Sequence, residues 1–136
     1  DSSDRRIWVM LGDGETQEGQ IWEAAMAANY HNATNLRVIV DRNRIQNDDF
    51  MDVQMEIGDI GEKFRSFGWT VKEVDGHDMS SLVDVVDWAN NEDGGPVAIV
   101  ANTIKGNGVS FMENNPSFHG MAPDDEELRI ALEELS

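Results

Sequence analysis

A chain of 136 residues has room for one domain with a modest core, and 40% hydrophobic content with four Trp and five Phe argues against a disordered tail. A net charge of −17 argues against a nucleic-acid partner, because no basic stripe exists to neutralise phosphates. The lack of cysteine removes disulfides and thiolate metal sites, and no apolar run approaches membrane length, so a soluble, cytoplasmic protein with no membrane partner is expected.

In chain order, residues 7–11 (Ile-Trp-Val-Met-Leu) form a short apolar run closed by Gly12, which predicts a buried strand. Such a strand needs neighbours on both edges and helices on both faces, and the preceding Asp1-Ser2-Ser3-Asp4 offers little to supply them. Residues 18–32 follow a helical pattern in which Ile21, Trp22, Ala24, Ala25, Met26 and Ala28 give a broad small-residue face. Residues 36–40 are β-branched and predict a second strand. Residues 42–58 show no clean period and predict a long loop.

A short helix over 60–67 is expected to stop at Gly68, and a third strand spans 69–74. The turn Asp75-Gly76-His77-Asp78 leads to a helix over 80–90 with Leu82, Val83, Val85, Val86 and Trp88 inward. A fourth strand over 97–101 runs into the glycine-rich Lys105-Gly106-Asn107-Gly108, and a helix over 124–135 starts with acids that suit the positive end of its dipole. Strands alternating with helices predict an α/β fold: a parallel sheet with helices on both faces.

Asp13 closes the first strand between Gly12 and Gly14, and Asn43 follows the second strand thirty positions later. Consecutive strand ends lie side by side at the carboxyl edge of a parallel sheet, where ligands bind. Oxygen ligands from both suit Mg²⁺, whose remaining positions commonly go to phosphate oxygens. Gly12 and Gly14 allow a sharp turn and a close approach of backbone amides to such a phosphate, with a helix start behind them. A lone Gly-Asp-Gly triplet is a weak signal, more often a surface turn than a site. The flanking strand and helix, and the second strand ending in Asp41-Arg42-Asn43, narrow it.

Other residues have plainer readings. His77 belongs to a turn, Asp78 caps a helix, and His31 lies near a helix end. Lys105 is either solvated or within reach of an anion. Ile45 and Gln46 stand where a calcium loop needs an oxygen ligand and a glycine, and Asn32-Ala33-Thr34 matches a glycosylation pattern without a secretion signal.

The run from Gly12 to Ala24 (Gly-Asp-Gly-Glu-Thr-Gln-Glu-Gly-Gln-Ile-Trp-Glu-Ala) resembles the diphosphate-binding motif of the transketolase family of thiamine-diphosphate enzymes. Val40-Asp41-Arg42-Asn43-Arg44-Ile45-Gln46 resembles its second half. Asp75-Gly76-His77-Asp78, the stretch from Thr103 to Asn114, and His119-Gly120 follow in the family's order, so the resemblance covers essentially the whole chain.

The resemblance implies the thiamine-diphosphate-binding fold as an incomplete domain, one part of a larger active site. It implies a cofactor site of Gly12, Asp13, Gly14, Glu15, Asn43, Ile45 and His119, with thiamine diphosphate and Mg²⁺ (or Ca²⁺ or Mn²⁺ in its place). Asp13 and Asn43 would bind the metal through side-chain oxygens and Ile45 through its carbonyl, while Gly14 would meet the diphosphate through its amide. His119 would be the active-site histidine. Glu18 and Glu23 match acids that sit between two active sites at the family's dimer interface; their plain alternative is a solvated pair on a helix. The implied activity is transfer of a two-carbon ketol unit between sugar phosphates, in the pentose phosphate pathway.

Departures accompany the resemblance. After Gln46 the family runs through a hydrophobic residue to Asp-Gly, whereas this chain has Asn47-Asp48-Asp49-Phe50, and Phe118 precedes His119 where relatives often carry Trp. Family members also carry further residues before the Gly-Asp-Gly strand and a pyrimidine-binding domain whose glutamate activates the cofactor. The chain alone is therefore expected to be inactive and to work as a homodimer or with a chain carrying that domain. The rival expectations are a component of a 2-oxo-acid dehydrogenase or deoxyxylulose-phosphate synthase, and a non-catalytic fragment.

Overall fold

The computed structural model describes residues 4–47 and 49–136, so of the departure after Gln46 only Asp48 lies outside it, as do Asp1, Ser2 and Ser3 at the start. In chain order the elements are β1 (Ile7–Gly12), a 3-10 turn (Gly14–Gln17), α1 (Gly19–Tyr30), β2 (Leu36–Arg42), the short strands β3 (Ile45–Gln46) and β4 (Asp49–Phe50), and α2 (Met51–Gln54). There follow α3 (Ile60–Ser66), β5 (Thr70–Asp75), α4 (Met79–Asn91), β6 (Val97–Asn102), a second 3-10 turn (Pro116–Phe118) and α5 (Asp125–Glu134). The long strands form one parallel sheet in the order β1-β2-β6-β5, and β3 pairs antiparallel with β4.

The pleat of the strands sorts their residues onto two faces. Leu11, Val38, Val40, Ala98 and Val100 pack against Ala25 of α1 and Ile60 and Phe64 of α3. Burial of a side chain such as Phe64, 1% exposed, contributes about 1.5–3 kcal/mol. Trp69 joins this layer and donates its indole N–H to the Ala25 carbonyl at 2.9 Å. On the opposite face α4 sets Val85 and Ala89 against Val97 and Ile99. Helices thus cover both faces, as the alternation of elements predicts.

Arg37 is wholly buried on the α4 face. Its guanidinium donates to the carbonyls of Ala89 (2.6 Å), Thr34 (2.8 Å), Leu36 (3.0 Å) and Glu92, tying β2 to the last turn of α4. A cation there offsets the negative end of the helix dipole.

Several expectations need correction. β1 is an edge strand in the described structure, not a buried one: Met10 is 70% exposed and Ile7 52%, because β1 is hydrogen-bonded only to β2 and α4 lies over β6 and β5. Within α4, Val83 faces outward, since Val85 and Ala89 set the inward stripe and Val83 lies off it. α1 buries only Ala25 fully, with Met26 exposed, so its apolar face is narrower than the alanines suggest. The stretch expected as a plain loop over 42–58 holds the β3–β4 pair and one turn of helix.

Candidate functional site

The carboxyl ends of the strands align. Gly12 stands opposite Asp41, Arg42 opposite Asn102, and Asp75 opposite Asn102. The chain leaves this edge at Asp13, Asn43, Gly76 and Thr103, and the ladder extends one step further through Asp13 N–H to Asp41 O (3.1 Å) and Thr103 N–H to Arg42 O (3.1 Å).

Asp13 is 2% exposed and caps the 3-10 turn. One carboxylate oxygen accepts the Gly14 N–H at 2.8 Å and the other accepts the Arg44 N–H. The Arg44 amide reaches across because Arg44 adopts a left-handed conformation, φ 65°, uncommon for a residue with a side chain and frequent near functional sites. Burial pushes the Asp13 carboxyl above its ordinary pKa; the two N–H bonds pull it back, while nearby Asp41 raises it and Arg42 lowers it.

Asn43 is 9% exposed. Its amide nitrogen donates to Asp41 at 2.9 Å, and its oxygen accepts the Ile45 N–H at 3.0 Å. The other oxygen of Asp41 accepts the Thr103 hydroxyl. Beside Asp13, Thr16 is fully buried and gives its hydroxyl to the Asp13 carbonyl.

An open cleft of about 480 Å³ gathers Gly12, Asp13, Gly14, Glu15, Asn43, Ile45 and His119, with Glu18 also in its lining. The seven expected cofactor residues therefore share one cavity wall. A second cavity, about 330 Å³, is also bordered by Asp13 and is lined by Arg42, Arg44 and Asn114 among others. Gly14 is required for space: a Cβ there would lie 2.6 Å from the Gln46 Cβ. Glu15 turns its carboxylate to the Gly12 N–H at 3.2 Å. Glu18 and Glu23 are both exposed, and Glu23 is not part of the cleft wall. His119 is exposed at the end of the second 3-10 turn, and its backbone N–H donates to Pro116 O at 2.9 Å. Phe118 stacks edge-on against Phe111, 5.4 Å between ring centres.

The donor set fits a hard cation. Asp13 is a buried carboxylate bonded, among the described residues, only to backbone N–H groups, it borders an open cleft, and Asn43 adds an amide oxygen with a spare lone pair. Among the described residues no cluster of three or more His, Asp or Glu side chains could hold a metal, so an ion here would need backbone and phosphate oxygens as well.

His77, expected only in a turn, accepts the Ile104 N–H on Nε2 at 2.7 Å and so pins the start of the glycine-rich loop. Asp41 enters the sequence reading only as part of the Asp41-Arg42-Asn43 strand end, and Arg44 and Thr103 only as members of longer motifs; Thr103 reaches the site only through the tertiary fold.

All 136 residues match the family described as the thiamine diphosphate binding domain of transketolase. The chain is 39% identical over 133 residues to one subunit of the apulose-4-phosphate transketolase of Actinobacillus succinogenes, covering 98% of this chain and 48% of that protein. It is 39% identical over 129 residues to the SqwG subunit of the 6-deoxy-6-sulfo-D-fructose transketolase of a Clostridium species, covering 95% of this chain and 47% of that protein. The chain thus spans about half the length of these relatives. The crystal structure of transketolase from Campylobacter jejuni superposes with a TM-score of 0.89 at 27% identity, over 97% of this chain and 21% of that one.

Proposed function

The chain belongs to the transketolase family of thiamine diphosphate-binding domains, and on that premise we propose that it holds the diphosphate end of the cofactor through Mg²⁺ in a two-carbon ketol transfer between sugar phosphates. The observation that carries the reading is the Asp13 carboxylate, buried and, among the described residues, hydrogen-bonded to backbone N–H groups with no side-chain ion pair, sharing one cleft with Asn43 and His119.

The side-chain oxygens of Asp13 and Asn43, with the Ile45 carbonyl, would hold the cation, for which Ca²⁺ or Mn²⁺ could substitute. Bound thiamine diphosphate supplies the electron sink for carbon–carbon bond cleavage and formation. This chain's residues bind and orient. Gly12 and Gly14 would let the backbone approach the phosphates, and the Gly14 N–H, which donates to Asp13 here, would be the amide offered to them. Glu15 steadies the loop through Gly12 N–H. His119, exposed on the cleft wall, holds or moves a proton at a substrate oxygen.

Relatives whose names make them single subunits of transketolases support a working enzyme of more than one chain. The chain works as a homodimer or in complex with a chain that carries the pyrimidine-binding domain. Glu18 and the exposed Glu23 face the interface in that assembly. The pentose phosphate pathway and the cytoplasm are the setting this reading favours. Among the described residues no helix is long and apolar enough to cross a membrane.

Calorimetry tests the reading. Thiamine diphosphate titrated into the chain should give heat that depends on Mg²⁺, and Asp13→Ala or Asn43→Ala should weaken it at least about tenfold. Metal-independent binding, or variants that bind as the parent does, would overturn the assignment. With the pyrimidine-binding component added, pentose phosphate donors should support turnover and pyruvate should not. The chain alone should show none.

A further inference from the structure

We infer that Asp41, clamped by Thr103, is a positioning residue that decides which end of the Asn43 amide meets the cation. The inference rests on the metal role proposed for Asn43.

An asparagine amide has a donor end and an acceptor end of nearly the same shape, and only the acceptor end can ligate a metal. Two neighbours fix the choice here. Asp41 bears a carboxylate, which can only accept, and it takes the Asn43 amide N–H at 2.9 Å. The Ile45 backbone N–H can only donate, and it gives to Asn43 Oδ1 at 3.0 Å. Both demand the same orientation, and the oxygen keeps a second lone pair for a cation.

Asp41 can hold the amide only if its own carboxylate is held. The Thr103 hydroxyl does this from the first residue after β6, donating to the oxygen that Asn43 does not use. Thr103 is in turn fixed by its N–H to Arg42 O at 3.1 Å, so hydroxyl, carboxylate and amide form one chain anchored at both ends in the backbone. With both oxygens engaged, Asp41 acts through Asn43. Outer partners of this type commonly alter metal affinity about 10–100-fold when removed.

The test separates positioning from mere structural support. Thr103→Val keeps the shape and removes the donor, and Thr103→Ser restores it. In the full chain at fixed thiamine diphosphate, Thr103→Val should raise the half-saturating Mg²⁺ concentration about tenfold, while saturating Mg²⁺ recovers the parent's cofactor affinity. Thr103→Ser should return the Mg²⁺ requirement to that of the parent. A global structural defect would instead lower cofactor affinity at every Mg²⁺ concentration. A second readout needs no ligand: the Asn43 side-chain amide resonances should be sharp in the parent and broadened or shifted in Thr103→Val. An unchanged Mg²⁺ requirement together with unchanged Asn43 resonances would overturn the inference. If the parent gave no metal-dependent heat at all, the functional reading would fail. The orientation claim would then stand or fall on the resonances alone.

Discussion

Single residues at the carboxyl edge of the sheet take roles that their type alone does not announce. Arg44 takes a left-handed turn between Asn43 and Ile45, and that turn lets its N–H meet the Asp13 carboxylate from the neighbouring strand. Gly106 is a comparable case in the loop that leads to His119. Its φ is 74°, and a Cβ placed there would lie 2.6 Å from the carbonyl carbon and oxygen of Met112. Left-handed strain and backbone overlap together predict that Gly106→Ala destabilises the chain by about 2–4 kcal/mol. Gly19→Ala, with nothing within 4 Å of its Cβ, is the control and should be near neutral. Urea denaturation midpoints measure both; equal midpoints would remove the claim that this loop is tightly specified.

Among the elements, α4 shows how capping and packing share the stabilisation of one helix. Asp78 accepts the N–H groups of Ser80 (3.0 Å) and Ser81 (3.4 Å) and the Ser81 hydroxyl (2.6 Å). The Ser81 hydroxyl, then the Ser81 amide, hold its carboxyl below the ordinary pKa. A carboxyl depressed on folding adds stability above its unfolded pKa and loses that contribution as pH falls through its folded value. Asp78→Ala should therefore lower the melting temperature at neutral pH, and the gap from the parent should close in acid. A gap independent of pH would show that the cap does not act through the ionised carboxylate. At its other end α4 is held by Arg37, whose hydrogen bonds to Ala89 and Glu92 carbonyls lock the helix to β2. α5 is fastened similarly, with Glu134 accepting both the N–H and the hydroxyl of Ser110 at 2.6 Å.

At the scale of the whole molecule, charge and the uncovered sheet edge dominate. A net charge of −17 on 136 residues makes the compact state repel itself. Exposed ion pairs such as Arg65–Glu62 (2.8 Å) and Arg129–Glu126 (2.6 Å) offset little of it. Added salt screens the repulsion, so the melting midpoint should rise by a few degrees, on the order of 3–5 °C, between low salt and about 1 M NaCl. Scanning calorimetry across a salt series checks this, and a falling midpoint would mean that attractive pairs outweigh the repulsion. Along β1 the apolar side chains Ile7, Trp8, Val9 and Met10 stay exposed, in a chain that spans about half the length of its relatives.

The sequence by itself determined the parallel α/β alternation and the placement of Asp13 and Asn43 at one sheet edge. Hydrophobic period, glycine punctuation and motif spacing are local properties of the chain. It also carried the family resemblance, which the match over residues 1–136 bears out. Only the tertiary structure decided that β1 is an edge, because strand order depends on long-range pairing that no local pattern records. The same holds for the orientation of the Asn43 amide. Thr103 is 62 residues from Asp41 along the chain, and only the parallel pairing of β2 with β6 brings the hydroxyl to the carboxylate.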